Sequence, residues 1–240
     1  MAKLRYKRIL LKLSGEAFAL DHGFGISPDY VRFISKQIIE IHKLGIQIGL
    51  VTGGGNFGRG ISASETGIER VSADYMGMLA TVMNSIAIQN TLEQMGAHTR
   101  VMSALSMPTI AEPYIRRKAI RHLEKGRIVL FAAGTGIPYF STDSAATLRA
   151  IETNCDIIMK GTKVDGVYDK DPVMNNDATK YDVMNFTEVI NKEIAVMDTS
   201  SIALCRENNM PILVFNINTK GNLVKAAIGE EIGTLVKAKE

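Results

Sequence analysis

Apolar positions along this chain follow two alternating rhythms. Compact runs such as Ile9-Leu10-Leu11 with Leu13, and Ile46-Gln47-Ile48-Gly49-Leu50-Val51, are too brief for helices and rich in branched side chains, so they predict strands over 8–13 and 46–51. Between them Val31, Ile34, Ile38 and Ile41 recur at helical spacing, with Ser27 as a cap before them, Pro28 in the first turn and Gly45 after the end. Strand, helix and strand in that order form the parallel crossover of an α/β fold.

The alternation continues. A polar stretch over 62–72 precedes a helix expected over 74–95, stopped by Gly96, whose Met78, Leu79, Val82, Met83 and Ile86 read as one core-filling face. A strand over 99–103, a helix over 114–125 and a strand over 127–132 follow. The charges of that helix, Arg116, Arg117, Lys118, Arg121 and Lys125, spread around its axis and read as a solvated surface. Beyond residue 133 come a hydroxyl- and glycine-rich loop ending in a helix start with Thr142 as its cap, a helix to about 154 and a strand over 156–160. A turn-rich loop over 161–172, a helix over 198–209 and strands over 212–215 and 233–236 complete the pattern. These elements predict an α/β fold: one three-layer α/β/α sandwich over 1–240 with a mainly parallel central sheet, in two subregions that divide near residue 130.

Composition narrows the class without changing this picture. A chain of 240 residues, 46% hydrophobic and 22% charged, buries a core without staples, and no low-complexity segment or repeat interrupts it. No run reaches the roughly 18 apolar residues of a membrane span, and the first residues carry no signal-peptide core, so a cytoplasmic protein with no membrane partner is expected. Cys155 and Cys205 read as buried, reduced thiols, and His22, His42, His98 and His122 lack the spacing of metal ligands. A formal charge of +3 suits small anionic substrates and is too small to argue for nucleic acid.

The chemistry gathers at strand ends. Three consecutive glycines, Gly53-Gly54-Gly55, close the second strand; such a run is costly to order, and it fits a backbone that takes φ > 0 or lets another group, most often a phosphate, press against its amides. Arg59 stands four residues on, with a fork of donors suited to phosphate oxygens. Lys12 and Lys160 sit at the ends of two strands, each leading into a glycine-bearing loop, and Asp143 lies in the first turn of a helix. In an open parallel sheet, strand ends meet in one crevice where ligands bind, and amines, loop amides and a carboxylate gathered there are the parts of phosphoryl transfer. A P-loop is absent from the sequence. Gly53-x-Gly55-x-x-Gly58 formally matches a dinucleotide fingerprint, but the acidic residue at the expected distance, Asp74, opens a helix instead of ending a strand.

Lys12-Leu13-Ser14-Gly15-Glu16, the glycine loop through Gly60, Asp74-Tyr75-Met76-Gly77-Met78-Leu79-Ala80-Thr81, Gly134-Thr135-Gly136 through Asp143, and Lys163-Val164-Asp165-Gly166-Val167-Tyr168 together resemble the uridylate kinase branch of the amino acid kinase superfamily. The resemblance runs from Lys7 to Leu235. It implies transfer of a phosphoryl group from ATP to UMP in pyrimidine nucleotide synthesis, with Mg2+ carried by ATP and no metal ligand from the protein. It assigns Lys12, Lys160 and Asp143 to the reaction centre. ATP falls to Lys12, Leu13, Ser14, Gly15, Gly55, Arg59, Thr162, Tyr168 and Asp171. UMP falls to Gly54, Asp74, Thr135, Gly136, Ile137, Pro138, Tyr139, Phe140, Ser141 and Thr142. Residues 1–130 would then bind the acceptor and 131–240 ATP. The resemblance further implies a homohexamer activated by GTP and inhibited by UTP, with Leu20, Asp21, His22, Gly23, Phe24 and Gly25 at the segment linked to GTP and the Met-rich helix as a candidate interface. A related kinase of amino acids or carbamate, and a nucleotide-binding protein without turnover, are the competing readings.

Overall fold

The computed structural model describes residues 4–58 and 67–239, apart from the side chains of Asp21 and His22. Its strands are β1 (Arg8–Leu13), β2 (Gln47–Thr52), β3 (Thr99–Ser103), β4 (Glu112–Pro113), β5 (Ile128–Ala132), β6 (Ile157–Thr162), β7 (Val167–Tyr168), β8 (Lys180–Tyr181), β9 (Val183–Asn185), β10 (Ile212–Asn216) and β11 (Thr234–Lys237). Nine of them form one sheet in the order β4-β3-β5-β2-β1-β6-β10-β11-β9, parallel except where β11 runs against β10, while β7 and β8 make a separate hairpin. The earliest strand therefore lies at the middle of the sheet. Strands from the first half extend on one side of β1 and strands from the second half on the other.

Helices cover both faces, as the two-residue period of buried strands requires. Ile9, Leu11 and Leu13 of β1 point to a face covered by α1 (Pro28–Lys43), α3 (Arg70–Gln94) and α8 (Asn222–Ile228), whereas Leu10 points to the face covered by α4 (Arg116–Glu124), α5 (Thr142–Glu152), α6 (Phe186–Asn191) and α7 (Thr199–Glu207). Among the described residues the remaining helical pieces are the short α2 (Gly55–Gly58) and a 3-10 segment over Gly15–His22. This is the expected three-layer sandwich. The cap of α1 is Ser27, whose hydroxyl accepts from Tyr30 N, with Pro28 as its first residue. Cys155 and Cys205 are both free and buried.

Three expectations need correction. The long helix begins at Arg70, a turn ahead of Asp74. Of its supposed core face, Met78 and Val82 are buried, but Leu79, Met83 and Ile86 are 48%, 45% and 38% exposed. Apolar letters occur all round α3, and the face turned inward carries Thr81, Asn84, Ser85, Ile88 and Leu92 instead. The cap of α5 is Ser141 in place of Thr142: its backbone is extended and its hydroxyl accepts from Asp143 N and Ser144 N.

Candidate active site

Lys12 follows from strand geometry. Two residues after Leu10, it points to the same face, under the N-terminus of α5. The register pairs Lys12 with Lys160 across β1 and β6, so both ammonium groups leave the sheet side by side. β6 runs on to Thr162, which places Lys160 inside the strand, two residues before its end. Burying an ammonium costs several kcal/mol unless it is paired. Asp143, in the first turn of α5, supplies the partner for both: Lys12 Nζ lies 2.7 Å from Oδ1 and Lys160 Nζ 2.9 Å from Oδ2. Lys160 also donates to the Val196 carbonyl.

Burial pushes the Asp143 carboxyl up, but the Lys12 and Lys160 charges together outweigh it and hold the group below its ordinary value. Burial lowers the Lys160 ammonium, opposed by Asp143 and reinforced by Lys12. With the aspartate ionised and both lysines protonated, the trio carries one excess positive charge in a mostly buried place. The N-terminal end of α5, whose dipole adds positive potential, starts beside it. Such a centre attracts an anion and can neutralise charge that develops on it.

The glycine loop is shaped by the chain itself. None of Gly53, Gly54 and Gly55 has positive φ. What they provide is absence of a side chain: a Cβ on Gly54 would sit 2.5 Å from the Gly77 carbonyl oxygen of α3, one on Gly53 2.7 Å from Gly15 N, and one on Gly15 2.4 Å from Gly55 N. The segment after β1, the loop after β2 and α3 thus close on each other at backbone distance, and the loop then turns directly into α2. Gly15 and Ser14 sit against this junction. Arg59 lies outside the described residues.

The loop between β5 and α5 is built differently. Ala133, Gly134, Gly136 and Tyr139 all have φ between 58° and 79°. Asp74 reaches this loop: its Oδ2 accepts from Tyr139 N at 2.8 Å while Arg70 Nε contacts both oxygens at 2.9 and 3.1 Å. A cleft of about 230 Å3 lies between α3, the glycine loop and this loop. Gly54, Asp74, Phe140, Ser141 and Thr142 from the expected acceptor set line it, whereas Thr135, Gly136, Ile137, Pro138 and Tyr139 are outside its lining, Ile137 and Tyr139 being largely exposed. Thr135 Oγ1 bonds within its own turn, accepting from Ile137 N.

On the other side of the centre, Leu13 ends β1 and Thr162 ends β6, with Thr162 Oγ1 donating to the Val164 carbonyl. Tyr168 stands on the β7–β8 hairpin and donates to Asp165, and the Asp171 carboxylate accepts from Val173 N in a turn beside it. The structure therefore joins Lys12, Lys160 and Asp143 directly and sets Gly15, just past the end of β1, against Gly53 and Gly55, while Tyr168 and Asp171 belong to a separate element. Of the segment 20–25, Leu20 has φ 45°, Phe24 packs edge-on against Phe57 with centroids 5.3 Å apart, and Gly25 N donates to the Asn56 carbonyl while the Gly25 carbonyl accepts from Asn56 Nδ2. Sequence reasoning missed Asp198, which accepts from the Ser141 hydroxyl and adds negative charge near Lys160. It also missed the buried side chains of Asn56, Thr81 and Asn84. Among the described residues no group of three or more His, Cys, Asp and Glu is placed to hold a metal ion.

Comparison with known proteins bears on this geometry. The sequence profile of the amino acid kinase family matches residues 7–216. A uridylate kinase of Limosilactobacillus reuteri (strain DSM 20016) is 53% identical over 238 residues, spanning 99% of each chain. The crystal structure of UMP kinase from Bacillus anthracis superposes with a TM-score of 0.95 at 40% identity, covering 98% of this chain and 97% of that one. UMP kinase from Ureaplasma parvum gives 0.91 at 36% identity, covering 97% and 99%.

Proposed function

This chain belongs to the amino acid kinase family, and from that premise we propose that it transfers the γ-phosphoryl group of ATP to UMP, giving ADP and UDP. Its relatives identify it as a nucleoside monophosphate kinase. UMP as acceptor, and a role in pyrimidine nucleotide synthesis, are our reading. The observation that carries the chemistry is the Lys12–Asp143–Lys160 trio, with 2.7 and 2.9 Å contacts and one excess positive charge.

In this reading the two ammonium groups neutralise charge on the phosphoryl group in flight, and Asp143 holds them at fixed separation. No general base is needed: the second pKa of a phosphate monoester is about 6, so the attacking oxygen is already ionised near neutrality. The excess charge of the trio draws that dianion in, and the N-terminus of α5 adds to the attraction. A Mg2+ carried on the ATP phosphates would supply charge neutralisation there.

The division of labour follows the sheet. Residues 1–130 would present Gly54 and Asp74 to UMP together with the loop over 135–142, and residues 131–240 would present Thr162, Tyr168 and Asp171 to ATP, with Lys12, Leu13, Ser14, Gly15 and Gly55 at the junction; Arg59 stays in the proposed ATP set. Asp74 already accepts from Tyr139 N, so its carboxylate would order the acceptor loop as well as meet the ribose. We further propose a homohexamer in the cytoplasm, activated by GTP through the segment 20–25 and inhibited by UTP. What supports association is the exposed apolar row Met76, Leu79, Met83 and Ile86 on α3, of which Met76, Leu79 and Met83 with Phe24 and Phe57 border a groove of about 300 Å3. No helix among the described residues is long and apolar enough to cross a membrane.

The test is ADP formation from ATP and Mg2+ with UMP, CMP, dUMP, glutamate and aspartate as acceptors. Turnover is expected with UMP, and Lys12→Ala should lower it by about 100-fold or more, the scale for losing one preorganised electrostatic donor. Turnover confined to an amino acid would overturn the acceptor, and ATP binding without any turnover would overturn the transfer. GTP and UTP added to the same assay, and the mass of the particle in solution, test the regulation and the assembly.

A further inference from the structure

Besides Ser85, which donates to the Thr81 carbonyl of its own helix, two polar side chains lie completely buried on the inner face of α3, where apolar packing would be the default. Thr81 is 1% exposed and Asn84 0%. Three residues apart, they share one side of the helix. Each uses every donor it has, and in each case a partner is the backbone of a different loop at the candidate site.

Thr81 works as a relay. Its hydroxyl donates to the Met78 carbonyl at 2.7 Å and accepts from Ala133 N at 2.8 Å. Ala133 is the residue at which the chain leaves β5 for the acceptor loop, and its φ of 62° is a conformation that costs an ordinary residue about 1–2 kcal/mol. Something must hold it there, and the Thr81 hydroxyl is bonded to its amide. The next turn follows at once, with Gly136 N bonded to the Ala133 carbonyl at 2.9 Å.

Asn84 anchors the other loop. Its amide nitrogen donates to the Gly53 carbonyl and to Asn56 Oδ1, both at 2.8 Å, and its oxygen accepts from Asn56 Nδ2 at 2.9 Å. Asn56 spends its second donor on the Gly25 carbonyl at 2.8 Å. Both carboxamides thus use every N–H they have, inside a site too dry to replace a missing partner. A residue chosen only to fill space would not need this; an aliphatic side chain of the same volume would pack there without desolvating an amide.

We propose that Thr81 and Asn84 are positioning residues of the transfer reaction: side by side on α3, they fix the acceptor loop and the glycine loop at one spacing. The proposal deepens the UMP kinase reading and rests on it for the identity of the acceptor. Neither side chain belongs to the Lys12–Asp143–Lys160 trio; Thr81 borders the cleft between the two loops, and Asn84 is outside its lining. Thr81 governs the loop over 133–141 and so the acceptor alone, while Asn84 governs the glycine loop, which borders both nucleotides.

The experiment measures kcat and both KM values for the full chain and for Thr81→Val, Thr81→Ser and Asn84→Ala, with thermal midpoints and amide hydrogen exchange of residues 133–141. Thr81→Val, close in shape but without the hydroxyl, should raise KM for UMP about tenfold, the upper end for one lost hydrogen bond, and leave KM for ATP within about twofold. Exchange over 133–141 should accelerate, and Thr81→Ser should restore both. Asn84→Ala should raise both KM values. Variants that melt earlier yet keep unchanged kinetics and unchanged exchange while folded would make the pair purely structural and overturn the proposal. If the unaltered chain turns over a different acceptor, the UMP reading fails; the proposal then stands or falls on whether Thr81→Val raises KM for that acceptor and speeds exchange in its loop.

Discussion

At Gly53 and Gly54 no φ is positive and other backbone lies where a side chain would go; at Ala133, Gly134, Gly136 and Tyr139 it is the backbone itself that is left-handed. Both loops border the same cleft, and they meet where Thr142 Oγ1 comes within 3.6 Å of a Cβ built on Gly53. The first is a packing solution, in which three backbones converge and no side chain fits. The second is a conformational solution, in which successive turns fold a short connection back over the end of β5. Glycine looks the same in both places in the sequence. It answers two different physical demands.

Breaking the charged trio beside the cleft should have the largest effect. Asp143→Asn leaves two buried ammonium groups without their counter-charge and should cost about 3 kcal/mol or more of folding stability. The pH dependence has a definite sign. The folded-state pKa of Asp143 lies below 3.8, so its stabilisation is complete above pH 3.8 and is lost only as pH falls further, through the folded-state value. Urea unfolding of both proteins should therefore give a stability difference that is flat between about pH 5 and 7 and shrinks in stronger acid; a difference that widened in acid would contradict the assignment.

Next in size is Gly15→Ala. Its Cβ would lie 2.4 Å from Gly55 N and 2.5 Å from the Gly53 carbonyl carbon, backbone atoms that cannot rotate away, and a loss of about 3 kcal/mol is expected in the same unfolding assay. A loss under about 1 kcal/mol would mean that the glycine loop can retreat, and the contrast between the loops would weaken. Gly136→Ala meets a milder obstacle, a left-handed φ of 79° and Ala104 Cβ at 3.2 Å, and should cost about 1–2 kcal/mol. The smallest effect belongs to Gly58→Ala, at the end of α2, where φ is not left-handed and nothing lies within 4 Å of the new methyl group. It should stay within about 0.5 kcal/mol, and a larger loss would show that the packing demand extends beyond residue 55.

Much of this was legible in the sequence. The bounds of β1 and the cap and first turn of α1 follow from local pattern alone, because a hydroxyl before proline and an apolar stripe leave few alternatives. Lys12, Lys160 and Asp143 stood out as charges at element ends, yet their meeting depends on the register of β1 against β6, which no local pattern encodes. The two-sided apolarity of α3 blurred which face turns inward, and Thr81 and Asn84 consequently read as ordinary polar positions. Ser141 and Thr142 are equivalent as letters; only the extended backbone at Ser141 makes it the cap. The β7–β8 hairpin, two residues to a strand, was too short to leave a pattern.

The position of β1 at the centre of the sheet has a consequence for how the molecule comes into being. Arg8 and Asp156, which share a hydrogen bond at the start of the β1–β6 pairing, are 148 residues apart. During synthesis, at roughly 5–20 residues per second, one edge of β1 waits about 7 to 30 seconds for its neighbour to be made. β2 can cover the opposite edge much earlier, from the first crossover. The two ammonium groups therefore become neighbours only through one of the longest closures in the chain, a high-contact-order step that ties assembly of the reaction centre to late folding.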